Sequence, residues 1–292
     1  MTVEAGWTHW PAPAKLNLFL HVTGRRADGF HELQTVFRLL DWGDRVSVRP
    51  RNDGQILRVA GAAGVAPEDD LAVRAARLLA EHRGAVCGVD IAVEKRIPLG
   101  AGLGGGSSDA ATVLKVLNRL WGLDLDDDTL AALGQTLGAD VPVFVRGLSA
   151  WAEGIGEQLV PVALDPAWYV VVDPRCHVST RELFAAPELT RDMPAATISD
   201  FINGAVQGNV FQPLVCRSHP RVAAAIRWLS AFAPARLTGT GAAVFAEFST
   251  LDDARRARDG CPPEFSAMVA RGVDRSPLLD TLQLHDWGVA KR

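Results

Sequence analysis

The chain has 292 residues, 48% hydrophobic and 22% charged, with 30 Lys and Arg against 34 Asp and Glu for a formal net charge of −4. That length favours two domains over one core. The slight acidic balance argues against a general nucleic-acid binder, which carries a basic surplus, but leaves room for a small anionic ligand held by local basic groups.

Cys87, Cys176, Cys216 and Cys261 are scattered, with no C-x-x-C pair. A zinc site or a disulfide framework is therefore not expected, and a reducing compartment, the cytoplasm, is the simpler reading. Met1–Pro13 lacks a basic stretch followed by an apolar run, so no secretory signal is read there. The densest apolar run, Trp168–Val172, is far too short to span a bilayer. His9, His21, His82, His177, His219 and His285 show no metal spacing and read as surface or core residues.

In chain order, Leu16, Leu18 and Leu20 alternate with Asn17, Phe19 and His21, which predicts a strand over Lys15–Val22 with one core face. A polar turn follows at Thr23–Gly29. Val36–Leu40 and Arg45–Arg49 read as strands parted by a turn at Asp41–Asp44. Asp69 and Asp70 then open an amphipathic helix carrying Leu71, Ala75, Leu78 and Leu79. Val89–Val93 alternates as a strand. After it come a glycine-rich segment and the stripe Ala110, Val113, Leu114, Leu117, Leu120, Trp121, spaced as a helix on a core. Asp126–Asp128 start another helix, which Gly138 stops, and Val141–Val145 returns to strand.

Proline and aspartate interrupt the pattern at Pro161–Pro166, so the domains are placed at residues 1–164 and 165–292. Beyond lie a strand at Trp168–Asp173 and a helix at Pro220–Phe232. Strands at Ala235–Leu237 and Ala242–Phe248 flank a second glycine turn, Thr238–Gly241. A helix at Leu251–Arg258, with a solvated arginine face at Arg255–Arg258, and a strand at Ala267–Val273 complete the pattern. With no regular βαβ rhythm, α+β is favoured over a doubly wound sheet.

The chemistry concentrates in Pro98-Leu99-Gly100-Ala101-Gly102-Leu103-Gly104-Gly105-Gly106-Ser107-Ser108-Asp109-Ala110, which has five glycines within seven residues and leads straight into a helix. A plain turn needs one or two glycines. Glycine permits positive φ and lets bare amides approach a ligand, and a helix N-terminus behind them favours phosphate. Ser107 and Ser108 can cap that helix, or meet phosphate and the hydration shell of Mg²⁺. A Walker A loop is excluded because Gly106 stands where its lysine belongs. Gly100, Gly102 and Gly105, with Asp124 beyond, match a dinucleotide fingerprint, but Lys95–Leu99 separate them from the preceding strand.

Phosphoryl transfer needs a carboxylate to orient or accept the alcohol proton. Asp140, in Gly138-Ala139-Asp140-Val141-Pro142-Val143-Phe144, is one candidate, and Lys15, in Pro13-Ala14-Lys15-Leu16-Asn17, is a partner for it. From spacing alone, a turn-forming aspartate and a solvated strand-edge lysine remain equally good descriptions.

Ala12–Asn17, Arg26-Ala27-Asp28-Gly29-Phe30-His31, the Gly-Gly-Gly-Ser-Ser-Asp core at 104–109, Gly138–Phe144 and Leu237-Thr238-Gly239-Thr240-Gly241 together resemble the GHMP kinases (galactose, homoserine, mevalonate and phosphomevalonate kinases). Within them the match is to the branch acting on a cytidine diphosphate-linked methylerythritol, in order from about Pro11 to Pro277. The resemblance implies a two-domain α+β fold, with an N-terminal ribosomal protein S5 domain 2-like half and a ferredoxin-like C-terminal half. It implies ATP with Mg²⁺, no metal held by the protein alone, and transfer to the 2-hydroxyl of that substrate in the non-mevalonate route to isoprenoid precursors. It makes Asp140 the catalytic base and Lys15 its partner, with Asn17 near the reacting hydroxyl. Phe30 and His31 would hold the cytosine, Phe184 would stack on its other face, and Thr180 would touch substrate. Leu71 and Lys95 would line the adenine pocket. Phe30 stands where tyrosine is common and Asp70 where asparagine is common. No nucleic-acid or membrane partner is implied, and monomer and homodimer both stay open.

Three rivals are kept. One is another GHMP kinase acting on homoserine or mevalonate. The second is a nicotinamide-binding oxidoreductase, motivated by Gly100, Gly102 and Gly105. The third is a binding module without turnover, against which the pairing of Lys15 with Asp140 speaks.

Overall fold

A computed structural model describes residues 6–83 and 87–287. The first five residues of the Met1–Pro13 stretch lie outside it. The elements run β1 (Thr8–Arg25), β2 (His31–Arg51), β3 (Ile56–Ala60), α1 (Leu71–Arg83), β4 (Gly88–Glu94), α2 (Gly105–Leu120), α3 (Asp127–Gln135), α4 (Val141–Arg146), β5 (Ala150–Glu153) and β6 (Gln158–Pro161). Then follow β7 (Trp168–Asp173), α5 (Thr180–Ala185), α6 (Ile198–Ile202), α7 (Gln212–Ser218), α8 (Pro220–Leu229), β8 (Ala235–Leu237), β9 (Val244–Phe248), α9 (Leu251–Asp259), β10 (Ser266–Val273) and α10 (Pro277–Leu284). Helices and a mixed, mainly antiparallel sheet make this α+β.

The sheet runs β3-β4-β2-β10-β7-β9-β8, with β1 and β5 also on β2. β10 is the splice, pairing Gly272 and Val273 with β2 and Ser266–Arg271 with β7. One apolar core lies between β2, β4 and the helices α1, α2, α3 and α4. A second lies under α7, α8 and α9 against β7 and β9. A third, built on Leu16, Phe19, Val36, Leu103 and Phe245, joins residues from both ends of the chain.

Three expectations are corrected. β1 has both faces buried rather than one, because α2 and the C-terminal segments cover it from both sides, so Asn17, Phe19 and His21 are as enclosed as Leu16 and Leu18. No turn breaks β2 at Asp41–Asp44. The polar side chains there bond to other segments: Asp41 accepts from the Arg271 amide at 2.8 Å, and Asp44 from the Ile97 amide at 2.8 Å. Val141–Val145 is helix, not strand. A five-residue apolar run cannot by itself distinguish a buried helix from a strand. Here Pro142 in the first turn starts the helix, and Gly147, at φ +64°, closes it.

α1, α2 and α3 begin close to where the sequence placed them. Asp70 caps α1, its Oδ1 accepting from the Ala72 amide at 3.0 Å, and Asp126 caps α3 through the Thr129 amide at 2.8 Å. Oδ2 of Asp70 accepts from Arg58 at 3.0 Å, so a charged residue suits this position.

Candidate active site

The glycine loop alternates. Ala101 and Leu103 are buried in the third core, while Gly100, Gly102 and Gly104 between them take φ of +66°, +76° and +72°. Those values belong to the left-handed region, where a Cβ is strained. The buried side chains anchor the strip and the glycines leave its main chain bare.

The loop is also bolted to distant segments. The Lys15 amide donates to the Leu103 carbonyl at 3.1 Å, and the Ala243 amide to the Ala101 carbonyl at 3.1 Å. A Cβ on Gly102 would lie 2.4 Å from the Thr238 carbonyl oxygen, so the two glycine turns meet backbone to backbone. α2 begins at Gly105 with Gly104 as its N-cap. Ser107 and Ser108 therefore sit inside its first turn and do not cap it. Ser108 Oγ is buried without a partner among the described residues, and Ser107 lines the adjoining cavity.

That cavity, about 910 Å³, also has Lys15, Asn17, Asp140, Phe30 and Phe184 on its walls. Lys15 Nζ lies 3.2 Å from Asp140 Oδ2 and donates to Asn17 Oδ1 at 2.6 Å. Asn17 is itself fixed, its Nδ2 donating to Thr35 Oγ1 at 3.0 Å and its amide to Thr238 Oγ1 at 2.9 Å. The Lys15 side chain is 3% exposed and that of Asp140 32%, so the ammonium is held from behind while the carboxylate reaches open space. Asp140 occupies the N-cap position of α4, yet its side chain makes no cap hydrogen bond. The carboxylate is thus free of the duty that the residue's position suggests.

At the other end, Phe30 is 58% exposed on the turn between β1 and β2. His31 opens β2, and its ring lies 4.9 Å from the Phe184 ring, inclined by 33°. No base fits between those two rings, so the open aromatic face belongs to Phe30. Thr180 Oγ1 meets Thr240 Oγ1 at 2.7 Å, tying α5 to the second glycine turn.

Leu71 and Lys95 are not on the wall of this cavity; they gather instead on α2's first residues. Leu71 lies 3.4 Å from a Cβ built on Gly106, and Lys95 Nζ 3.3 Å from one on Gly105. The Lys95 ammonium is taken by two carboxylates, Asp44 and, at 2.7 Å, Asp109. Burial pushes the Asp109 carboxyl up to about 7, with Lys95 opposing the rise. His177, read from sequence as an ordinary surface or core residue, lines the cavity, with Nδ1 3.2 Å from a Cβ built on Gly100. Nothing local in the sequence marks it, because it reaches the loop only through the docking of the segment after β7.

The loop also fails the test of a dinucleotide turn. Ten residues separate the end of β4 from α2. A Rossmann turn joins a parallel strand directly to its helix.

Comparison with known proteins agrees with this geometry. The family described as GHMP kinases N terminal domain matches residues 70–148, and that described as GHMP kinases C terminal matches 188–266. The 4-diphosphocytidyl-2-C-methyl-D-erythritol kinase of Xanthomonas oryzae pv. oryzae is 58% identical over 275 residues, covering 94% of this chain and 93% of that protein. That of Halorhodospira halophila is 56% identical over 279 residues, covering 94% and 96%. A crystal structure of 4-(cytidine 5'-diphospho)-2C-methyl-D-erythritol kinase superposes with a TM-score of 0.78 at 38% identity, covering 91% of this chain and 99% of that one. Methanococcus jannaschii mevalonate kinase, at 16% identity and a TM-score of 0.66, shares the fold alone. The chain belongs to the 4-diphosphocytidyl-2-C-methyl-D-erythritol kinase family, within the GHMP kinases.

Proposed function

We infer that this chain transfers the γ-phosphate of ATP to the 2-hydroxyl of 4-diphosphocytidyl-2-C-methyl-D-erythritol, giving the 2-phosphate and ADP, in the methylerythritol phosphate route to isoprenoid precursors. One observation carries the assignment of roles within the site: Lys15 and Asp140 pair at 3.2 Å in the same cavity that holds the bare glycines and the aromatic turn.

The polyphosphate lies along Gly100–Ser107, against main-chain amides and the positive end of α2. Adenine extends towards Leu71. The triphosphate would carry Mg²⁺ as its counter-ion. Among the described residues no group of three or more His, Cys, Asp or Glu side chains could hold a metal. Ser107 and Asp140 supply hard oxygens on the wall, the donor type Mg²⁺ takes beside phosphates and water. Bound there, the metal would neutralise phosphate charge.

The acceptor alcohol is tertiary and poorly acidic. Asp140 therefore orients the hydroxyl and takes its proton late, as the new oxygen–phosphorus bond forms and the bond to ADP breaks. Lys15 faces the same point and offsets the developing negative charge. Its rigid hold by Asn17 means little reorganisation accompanies the step.

The cytosine stacks on Phe30 with Phe184 beyond it, and the diphosphate passes Thr180. Phe30→Ala is expected to raise KM for the cytidyl substrate about tenfold or more, since a base–aromatic stack contributes about 1–3 kcal/mol. KM for ATP should not change. Steady-state kinetics with each substrate varied in turn checks this.

The chain is placed in the cytoplasm, in keeping with Cys176, Cys216 and Cys261, which form no disulfide among the described residues. No helix among the described residues is long and apolar enough to cross a membrane. The division at residues 164 and 165 is kept as the domain boundary. An ADP-release assay over a panel of alcohols tests the function. Turnover with the cytidyl substrate and none with mevalonate or homoserine is expected; the reverse pattern would overturn the assignment.

A further inference from the structure

Arg191 stands outside the cavity, yet every polar group of its side chain is committed. Nη1 donates to the Leu189 carbonyl at 3.0 Å, and Nη2 to those of Phe184 and Ala186 at 2.9 and 2.8 Å. These three acceptors lie at the C-terminal end of α5 and in the turn after it, so the guanidinium is clamped where α5 stops. The remaining group, Nε, points to His31 Nε2 at 3.1 Å. The same carbonyl clamp fixes Phe184, whose ring lies against that of His31.

Arginine keeps its charge and has no acceptor. The ring nitrogen it faces must therefore carry a lone pair. In a neutral imidazole one nitrogen accepts and the other donates, so the proton of His31 sits on Nδ1. A second proton would set two N–H groups head to head. Burial, then Arg191, then Arg25 across the β1–β2 ladder all hold the His31 pKa below its ordinary value. His31 lines the cavity, and with Nε2 facing Arg191 its other ring nitrogen, Nδ1, is the donor left to the ring.

A ring donor directed at N3 distinguishes the two pyrimidines, whereas O2 accepts in both. Cytosine offers acceptors at N3 and O2. Uracil carries N–H at N3 and would meet the donor with a donor, leaving both unpaired at a cost comparable to a lost hydrogen bond.

We propose that Arg191 is a positioning residue that locks His31 as its Nδ1–H tautomer, and that this lock makes the site prefer a cytidyl over a uridyl substrate. The proposal rests on the assignment of the aromatic end of the cavity to the pyrimidine. It concerns how the ring is held, not whether the ring is there.

Two readouts test it. The first is ¹⁵N NMR of the histidine rings in the free, full-length protein, with His31 assigned by comparison with His31→Gln. The wild type should show a protonated Nδ1 and a bare Nε2; a bare Nδ1 would overturn the proposal without any kinetics. The second is the ratio of kcat/KM for the cytidyl substrate to that for its uridine analogue, in wild type and in Arg191→Gln. Glutamine can turn its amide oxygen or nitrogen to the ring and so no longer dictates the tautomer. The ratio should fall about tenfold in the variant, the worth of one hydrogen bond near the upper end of its range, with KM for ATP unchanged. An unchanged ratio would overturn the proposal. If Arg191→Gln does not fold, Arg191→Lys, which keeps only donors, should retain the tautomer and the preference; a lysine variant that loses both overturns it. A wild type indifferent to the base would bring down the underlying assignment, whereas the tautomer is read independently of substrate.

Discussion

Asp140→Asn is expected to lower kcat by about 10²–10⁴, the range for losing a general base, while KM for ATP and Tm stay near the wild-type values. The separation of these effects follows from how the carboxylate is used. It makes no cap bond to α4, so the helix does not depend on it. Asparagine has nearly the same shape and can still accept from Lys15, which Asn17 holds independently at 2.6 Å. What the amide cannot do is take a proton from the alcohol. Steady-state ADP release, run beside thermal unfolding, distinguishes the outcomes. Near-normal turnover would remove Asp140 from the role, and a large fall in Tm would make it a structural residue.

Gly102→Ala should be nearly as damaging by a different route. Gly102 sits at φ +76°, and an added Cβ would meet the Thr238 and Gly241 carbonyl oxygens at 2.4 and 3.1 Å. Both neighbours are backbone, so no side chain can swing aside. An alanine in the left-handed region costs about 1–2 kcal/mol, and overpacking at a closed contact adds about 1–3 kcal/mol. The remaining escape is to part the two glycine turns. That would strain the Ala243-to-Ala101 and Lys15-to-Leu103 hydrogen bonds, which set the loop's height in the cavity. Lower Tm and weaker ATP binding should therefore appear together. Wild-type ATP affinity with unchanged Tm would show that the turns are not rigidly joined. Substitution at Gly104 acts elsewhere: its Cβ would press on the Phe144 ring at 2.8 Å and on Lys15 Cε at 3.2 Å, displacing the ammonium rather than filling the phosphate cradle.

The parts legible in the sequence were those written locally. Asp70 and Asp126 mark helix starts through hydrogen bonds to amides two or three residues on, and both helices begin there. The glycine loop identified itself because five glycines so close together have no cheaper use. The parts that were not legible depend on distant chain. The Asp41–Asp44 stretch looks like a turn until the Arg271 and Ile97 amides arrive to donate to its carboxylates. Val141–Val145 has a strand's composition, and Pro142 and the burial around it decide for helix. At the site, Lys15 and Asp140 are 125 positions apart, and only the folded chain brings them together as an ion pair at 3.2 Å. His177 and Arg191 carry no local signal at all; each gains its place from the docking of the second half on the first.

A crystal structure with the cytidyl substrate and a non-hydrolysable ATP analogue bound together tests the central claim most directly. The γ-phosphate should lie on the amides of residues 100–107, and the substrate's 2-hydroxyl within hydrogen-bond distance of the Asp140 carboxylate. An ordered complex in which that hydroxyl faces away from both Asp140 and Lys15 would contradict it.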